Sequence, residues 1–156
     1  MTVCDGRVRR IVLTGGPCAG KTTALAQIKE RLTALGVHVV TVPENATAVF
    51  ENSGGYHPDW AGKKRAGHLA LQKTLLRFQM DAERHYLAIA QLHAETRGIP
   101  AVLLCDRGTL DGKSFVEDRE WHKILLDCGL DERGLLSEYD MVCHLVTAAK
   151  GERDGP

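Results

Sequence analysis

Apolar residues recur along this chain in two ways: as short unbroken runs, and as longer stretches spaced by three or four. Arg10-Ile11-Val12-Leu13-Thr14 reads as a buried strand, and Leu25, Ile28, Leu32 and Leu35 behind it form one stripe of a helix. Gly36 supplies a stop. Val37-His38-Val39-Val40-Thr41-Val42 is then a second buried strand, ending at Pro43-Glu44. The turn formers from Asn52 to Asp59, with Gly54, Gly55 and Pro58 among them, predict a surface loop. Residues 63–97 predict one long helix or two stacked helices, because Leu75, Phe78, Ala82, Tyr86, Ile89 and Leu92 recur at helical spacing before Gly98 and Pro100 end the pattern. Ala101-Val102-Leu103-Leu104-Cys105 is a third strand. Short amphipathic helices are expected at 113–118, 120–128 and 131–137, and Met141 to Val146 reads as a fourth buried strand. Strands alternating with helices imply a parallel sheet covered on both faces, a three-layer α/β domain.

Between the first strand and the first helix stands Gly15-Gly16-Pro17-Cys18-Ala19-Gly20-Lys21-Thr22, which matches Gly, any four residues, Gly-Lys-Ser/Thr. Glycines let such a loop curl so that successive N–H groups point into one concavity, and the following helix adds its positive end. The site suits the phosphates of a nucleoside triphosphate, ATP or GTP. Gly15 through Thr23 would cradle them, Lys21 would bridge the β- and γ-phosphates, and the Thr22 hydroxyl would face Mg²⁺. No Asn-Lys-x-Asp signature selects guanine, so the base is left open.

In open parallel sheets the ligand sits beyond the carboxyl ends of the strands, which points to Glu44, Asp106, Arg107 and Thr147. Asp106, directly after a buried strand, suits a carboxylate that orients Mg²⁺. Glu44 reads as a general base, as a metal-orienting group or as a cap of the next helix. Arg107 either supplies positive charge to a transferring phosphate or forms an ordinary salt bridge. Asp111 faces the same pocket or caps a helix, and Lys63-Lys64-Arg65 is a phosphate-binding cluster or a solvated helix face. Cys18 reads as a small loop residue, although the end of a helix lowers a thiol's pKa. No histidine spacing suggests zinc.

Composition narrows the partners. Lys plus Arg and Asp plus Glu are both 20 in 156 residues, so no global field draws the chain to nucleic acid or an anionic membrane. Five cysteines with no Cys-x-x-Cys spacing favour reduced thiols and the cytosol. No run of about 18 apolar residues offers a membrane span. The expectation is one domain over residues 1–149 and a disordered tail over 150–156.

Taken together, the phosphate loop, Val42-Pro43-Glu44-Asn45-Ala46-Thr47, Asp106-Arg107-Gly108-Thr109-Leu110-Asp111-Gly112 and Tyr139-Asp140-Met141-Val142 resemble one family. It is the P-loop family that groups the kinase-like domain of NadR with the nucleotide-binding domain of the TRP-like channel translocation defect protein. The resemblance implies a nucleoside-kinase-like fold and binding of ATP or GTP with Mg²⁺. In different members it also implies either phosphorylation of a small nucleoside at a hydroxyl or GTP-linked trafficking with phosphoinositide binding. Relatives continue past the fourth strand into a basic lid and a fifth strand, whereas this chain ends at Pro156. The expected sheet order is therefore 2-3-1-4 with the fifth strand missing, an edge that favours self-association.

Overall fold

The computed structural model describes residues 7–61 and 65–146, so Cys4, Lys63, Lys64, Thr147 and the 150–156 tail lie outside the described residues. The elements run β1 (Arg9–Gly15), α1 (Lys21–Ala34), β2 (His38–Val42), α2 (Asn45–Asn52), a 3-10 turn (Pro58–Ala61), α3 (Arg65–Arg97), β3 (Ala101–Asp106), a second 3-10 turn (Asp111–Phe115), α4 (Asp118–Cys128), α5 (Glu132–Ser137) and β4 (Met141–Leu145). All strand pairings are parallel and the order is β2-β3-β1-β4, as the sequence predicts.

Alternation along β3 sorts the core into two layers. Leu103 and Cys105 pack with Val12, Val42, Ala90 and Ala94 on the α3 side. Leu104 packs with Leu13 and Leu25 on the α1 side. A strand covered on both faces reads as a continuous apolar run, which is why this segment was legible. A third cluster, Leu76, Trp121, Ile124, Leu125 and Leu135, fixes α4 and α5 to α3. Arg65 at the start of α3 bonds Glu120 of α4, and that guanidinium holds the Glu120 carboxyl down at about 2.

Several expectations need correction. Leu35 lies beyond the last turn of α1 and is exposed, so the α1 stripe ends at Leu32. The long helix is a single one, but Phe78, Ile89 and Leu92 are 48%, 46% and 63% exposed. Its buried face instead runs through His68, Gln72, Leu76, Gln79, Glu83, Ala90 and Ala94. The helix rotates polar residues inward because partners for them wait there. The expected helix at 113–118 is a 3-10 turn at Asp111–Phe115, and Asp118 already belongs to α4, opened by a Glu117/Glu120 capping box. β4 is not buried: Met141 and Val142 are exposed, because β4 ends the sheet on the side away from β3.

Parallel register brings the strand ends to one rim. Leu13 pairs with Asp106, Val42 with Cys105, and Gly15 with Leu145. The segments that leave β1, β2 and β3 therefore meet there, and they carry the phosphate loop, Glu44 and Arg107.

Candidate functional site

Two adjoining cavities occupy this rim. The larger, about 480 Å³, is lined by Pro17, Cys18, Ala19, Gly20, Lys21, Thr22 and Thr23, together with Glu44, Asp106 and Arg107. Every residue singled out for catalysis or metal binding thus falls in one place. Gly15 and Gly16 form the root of the loop, and their carbonyls accept hydrogen bonds of 3.0 and 2.9 Å from Lys21 Nζ. Gly15 has φ +141°, and a Cβ there would collide with the carbonyl oxygen of Leu145. Glycine is required at that point by space as well as by backbone angle.

Asp106 presents Oδ1, buried and without a hydrogen-bond partner. Burial, with the nearby Glu44 charge adding to it, raises the Asp106 pKa from its ordinary value, while Lys21 and Arg107 pull it back. A carboxyl that favours its proton when folded makes the native state bind protons more readily than the unfolded one. Stability contributed there falls as pH rises through the carboxylate range, and the ionised group is a cost at neutral pH. Asp106→Asn is expected to raise the ligand-free melting temperature by about 2–4 °C, corresponding to about 1 kcal/mol for removing a desolvated negative charge. The same variant should lose the Mg²⁺ dependence of nucleotide stabilisation. Scanning calorimetry checks both, and a lower melting temperature would mean that Asp106 is held by bonds of its own.

Arg107 stands at the junction. Its φ is +72°, a left-handed conformation that costs a non-glycine residue about 1 kcal/mol or more. The surroundings hold it there. Nε donates to Glu44 Oε1, and Nη1 to Gly15 O at 3.3 Å and Asp111 Oδ2 at 3.4 Å. Burial works against the guanidinium charge, but the bonds and charges of Glu44 and Asp111 together outweigh it, so the Arg107 pKa is raised. Glu44 occupies the N-cap position of α2 but makes no capping bond; its Oε2 accepts the Thr47 hydroxyl at 3.1 Å. Capping is therefore not the role of this side chain. Asp111 does face the site, accepting the Thr14 hydroxyl at 2.7 Å.

The smaller cavity, about 180 Å³, lies between α2, α3 and the 111–115 turn, and Glu44 and Arg107 line it too. Tyr56 is not among its lining residues and bonds His68 Nδ1 at 3.0 Å. Behind this cavity runs a polar chain that the sequence pattern did not reveal. Glu83 is 1% exposed. Its Oε1 accepts from Gln79 Nε2 at 2.8 Å and from the Tyr139 hydroxyl at 2.9 Å, and its Oε2 accepts from Arg10 Nη2 at 2.7 Å. Gln79 Nε2 also donates to the Arg107 carbonyl at 3.2 Å, and Tyr139 accepts the Thr109 N–H at 2.9 Å. Burial and the facing Glu83 push the Tyr139 phenol well above its usual range, so it stays a donor. The backbone on both sides of Gly108 is thereby tied to α3.

A glycine-rich loop between a central parallel strand and a helix, with an acidic residue at the end of the neighbouring strand, defines a P-loop protein of the nucleotide-binding type. A family model described as an AAA domain matches residues 10–155, and the chain belongs to that family. No curated protein matches it. Among solved structures, a mutant of the APS kinase CysC of Mycobacterium tuberculosis is 14% identical, with 88% of this chain and 76% of that one covered and a TM-score of 0.38. APE1195 is also 14% identical, with 95% and 68% covered and a TM-score of 0.42. Among the described residues no helix is long and apolar enough to cross a membrane.

Proposed function

We propose that this protein binds ATP or GTP with Mg²⁺ at the phosphate loop and transfers the terminal phosphoryl group to a hydroxyl of a small acceptor in the adjoining cavity. The observation that carries this reading is that Glu44 and Arg107 line both cavities, so a donor in one and an acceptor in the other would meet at these two side chains. The N–H groups of the loop and Lys21 hold the phosphates. The Thr22 hydroxyl and the unpartnered Asp106 Oδ1 suit a hard cation, which when bound neutralises phosphate oxygens. The acceptor oxygen bonds to the γ-phosphorus as the bond to the β-phosphate oxygen breaks, leaving the diphosphate. The hydroxyl proton passes to Glu44, which exchanges its bond from Thr47 for it, and Arg107 faces the charge that develops.

A triphosphate at 100 times its dissociation constant should stabilise the protein by about 2.7 kcal/mol, read by thermal shift with ATP and GTP and with their diphosphates. Glu44→Gln should keep that stabilisation and slow phosphate transfer about 10²-fold or more. Loss of folding without a specific defect in transfer would remove Glu44 from the chemistry. A second reading, a module whose nucleotide state sets affinity for a trafficking partner or a phosphoinositide surface, draws on the exposed Phe78, Ile89 and Leu92 of α3. Nucleotide-dependent vesicle binding without transfer would favour it.

A further inference from the structure

A third cavity, of about 520 Å³, lies between α3, α5 and the turn that joins α4 to α5. The phosphate loop, Glu44, Asp106 and Arg107 take no part in its walls. Met80, Leu87, Leu130 and Leu135 give it an apolar lining of the kind that takes up a small organic body. The polar groups between them are nearly all of one kind, hydrogen-bond acceptors.

The direction of the hydrogen bonds makes them so. The Tyr139 hydroxyl has one hydrogen and gives it to Glu83 Oε1 at 2.9 Å. The Thr109 hydroxyl, 3.0 Å from the same phenol oxygen, must therefore donate to it, and Thr109 Oγ1 has only lone pairs left to offer. Ser137 Oγ likewise spends its hydrogen on the Gly134 carbonyl at 2.7 Å. Asp81, Asp131 and Glu138 line the cavity too, and a carboxylate only accepts. The two guanidiniums on the walls are already engaged: Arg10 donates to Glu83 and Glu138, and Arg84 Nη2 pairs with Asp81 Oδ1 at 2.9 Å. Four carboxylates outnumber them, counting Glu83. A ligand that fits must bring its own donors and a positive charge. The Tyr139 ring already faces the Arg10 guanidinium, 5.2 Å from its centre, so a cation without N–H groups finds no open aromatic face there.

We propose that this cavity binds a small primary amine in its ammonium form, with the N–H groups taken by the acceptor oxygens and the apolar body lying on Met80, Leu87, Leu130 and Leu135. The site stands whether or not the protein transfers phosphate.

The experiment uses the full chain with isotope-labelled methionine methyl groups, followed by NMR. Met80 lines the cavity and reports on it, while Met141, exposed on β4, serves as the internal control. The probes are 2-phenylethylamine, its N,N,N-trimethyl analogue, which keeps the charge but has no N–H, and phenylacetate, which reverses the charge. The expected result is a saturable shift of Met80 but not of Met141 with 2-phenylethylamine, bound about tenfold more tightly than either control, as one lost charge-assisted hydrogen bond predicts. The double variant Asp81→Asn/Asp131→Asn keeps an asparagine at the N-cap of α5 and should weaken amine binding about tenfold while leaving nucleotide-induced stabilisation unchanged. Equal binding of the three probes, a Met80 shift that does not saturate or that Met141 shares, or an unchanged amine affinity in the double variant would overturn the proposal. If that variant does not fold, the comparison of probes on the parent protein decides alone. Selective amine binding in a protein that transfers no phosphate would retire the transfer reading and leave this site in place.

Discussion

Lys21→Ala is expected to weaken ATP and GTP binding by about 10²-fold or more while leaving the fold in place. The arithmetic is local. Each charge-assisted hydrogen bond to a phosphate contributes about 1.5–3 kcal/mol, and the side chain reaches two phosphates, so the loss exceeds two factors of ten. Nothing comparable is lost from the fold, because among the described residues Nζ bonds the carbonyls of Gly15 and Gly16 alone, at the site rim. Titration calorimetry with each triphosphate checks the affinity and a thermal melt checks the fold. Equal affinities for variant and parent would remove the phosphate loop from the proposed function.

Glu83→Gln should produce the largest loss of stability of any single conservative change, about 3–5 kcal/mol. The parent carboxylate takes three donors, from Gln79, Tyr139 and Arg10. An amide would turn one of its own donors toward them and leave the half-buried Arg10 with Glu138 alone, at 2.5 Å. Glu138→Gln is the control. That partner is 62% exposed on its side chain, so its removal should cost about 1 kcal/mol or less. Urea denaturation of the two variants separates them. A loss below 1 kcal/mol for Glu83→Gln would mean that the polar chain behind the cavity is incidental to the fold.

The strands and the phosphate loop could be read from the sequence because their signals are local: β1 and β3 are covered on both faces and so run apolar without interruption, and the loop has a fixed spacing. Asp106 stands out as a candidate through its place at the end of β3. The long helix α3 was legible too, but which of its faces is buried was not. Periodicity identifies which residues share a face but not whether that face is buried, and here Phe78, Ile89 and Leu92 make the more apolar stripe on the outer side. Gln79 and Glu83 point inward because Asn45, Arg10, Tyr139 and the Arg107 carbonyl, all distant in sequence, complete their hydrogen bonds. Helical spacing between a glutamine and a glutamate four residues later gives no hint of that.

Gly15 limits where the phosphate loop can adjust. It is the last residue of β1, it pairs with Leu145, and the space beside it is too small for a methyl group. That end is a fixed pivot. At the other end Lys21 begins α1, so any change of shape on taking up a ligand must be absorbed between them. Cys18 and Gly20 hold positive φ there, +58° and +78°, and a side chain at Gly20 would meet nothing within 4 Å. The loop is therefore anchored at both ends, and Cys18, the exposed thiol at its centre, is the natural place for a reporter of any change of shape there.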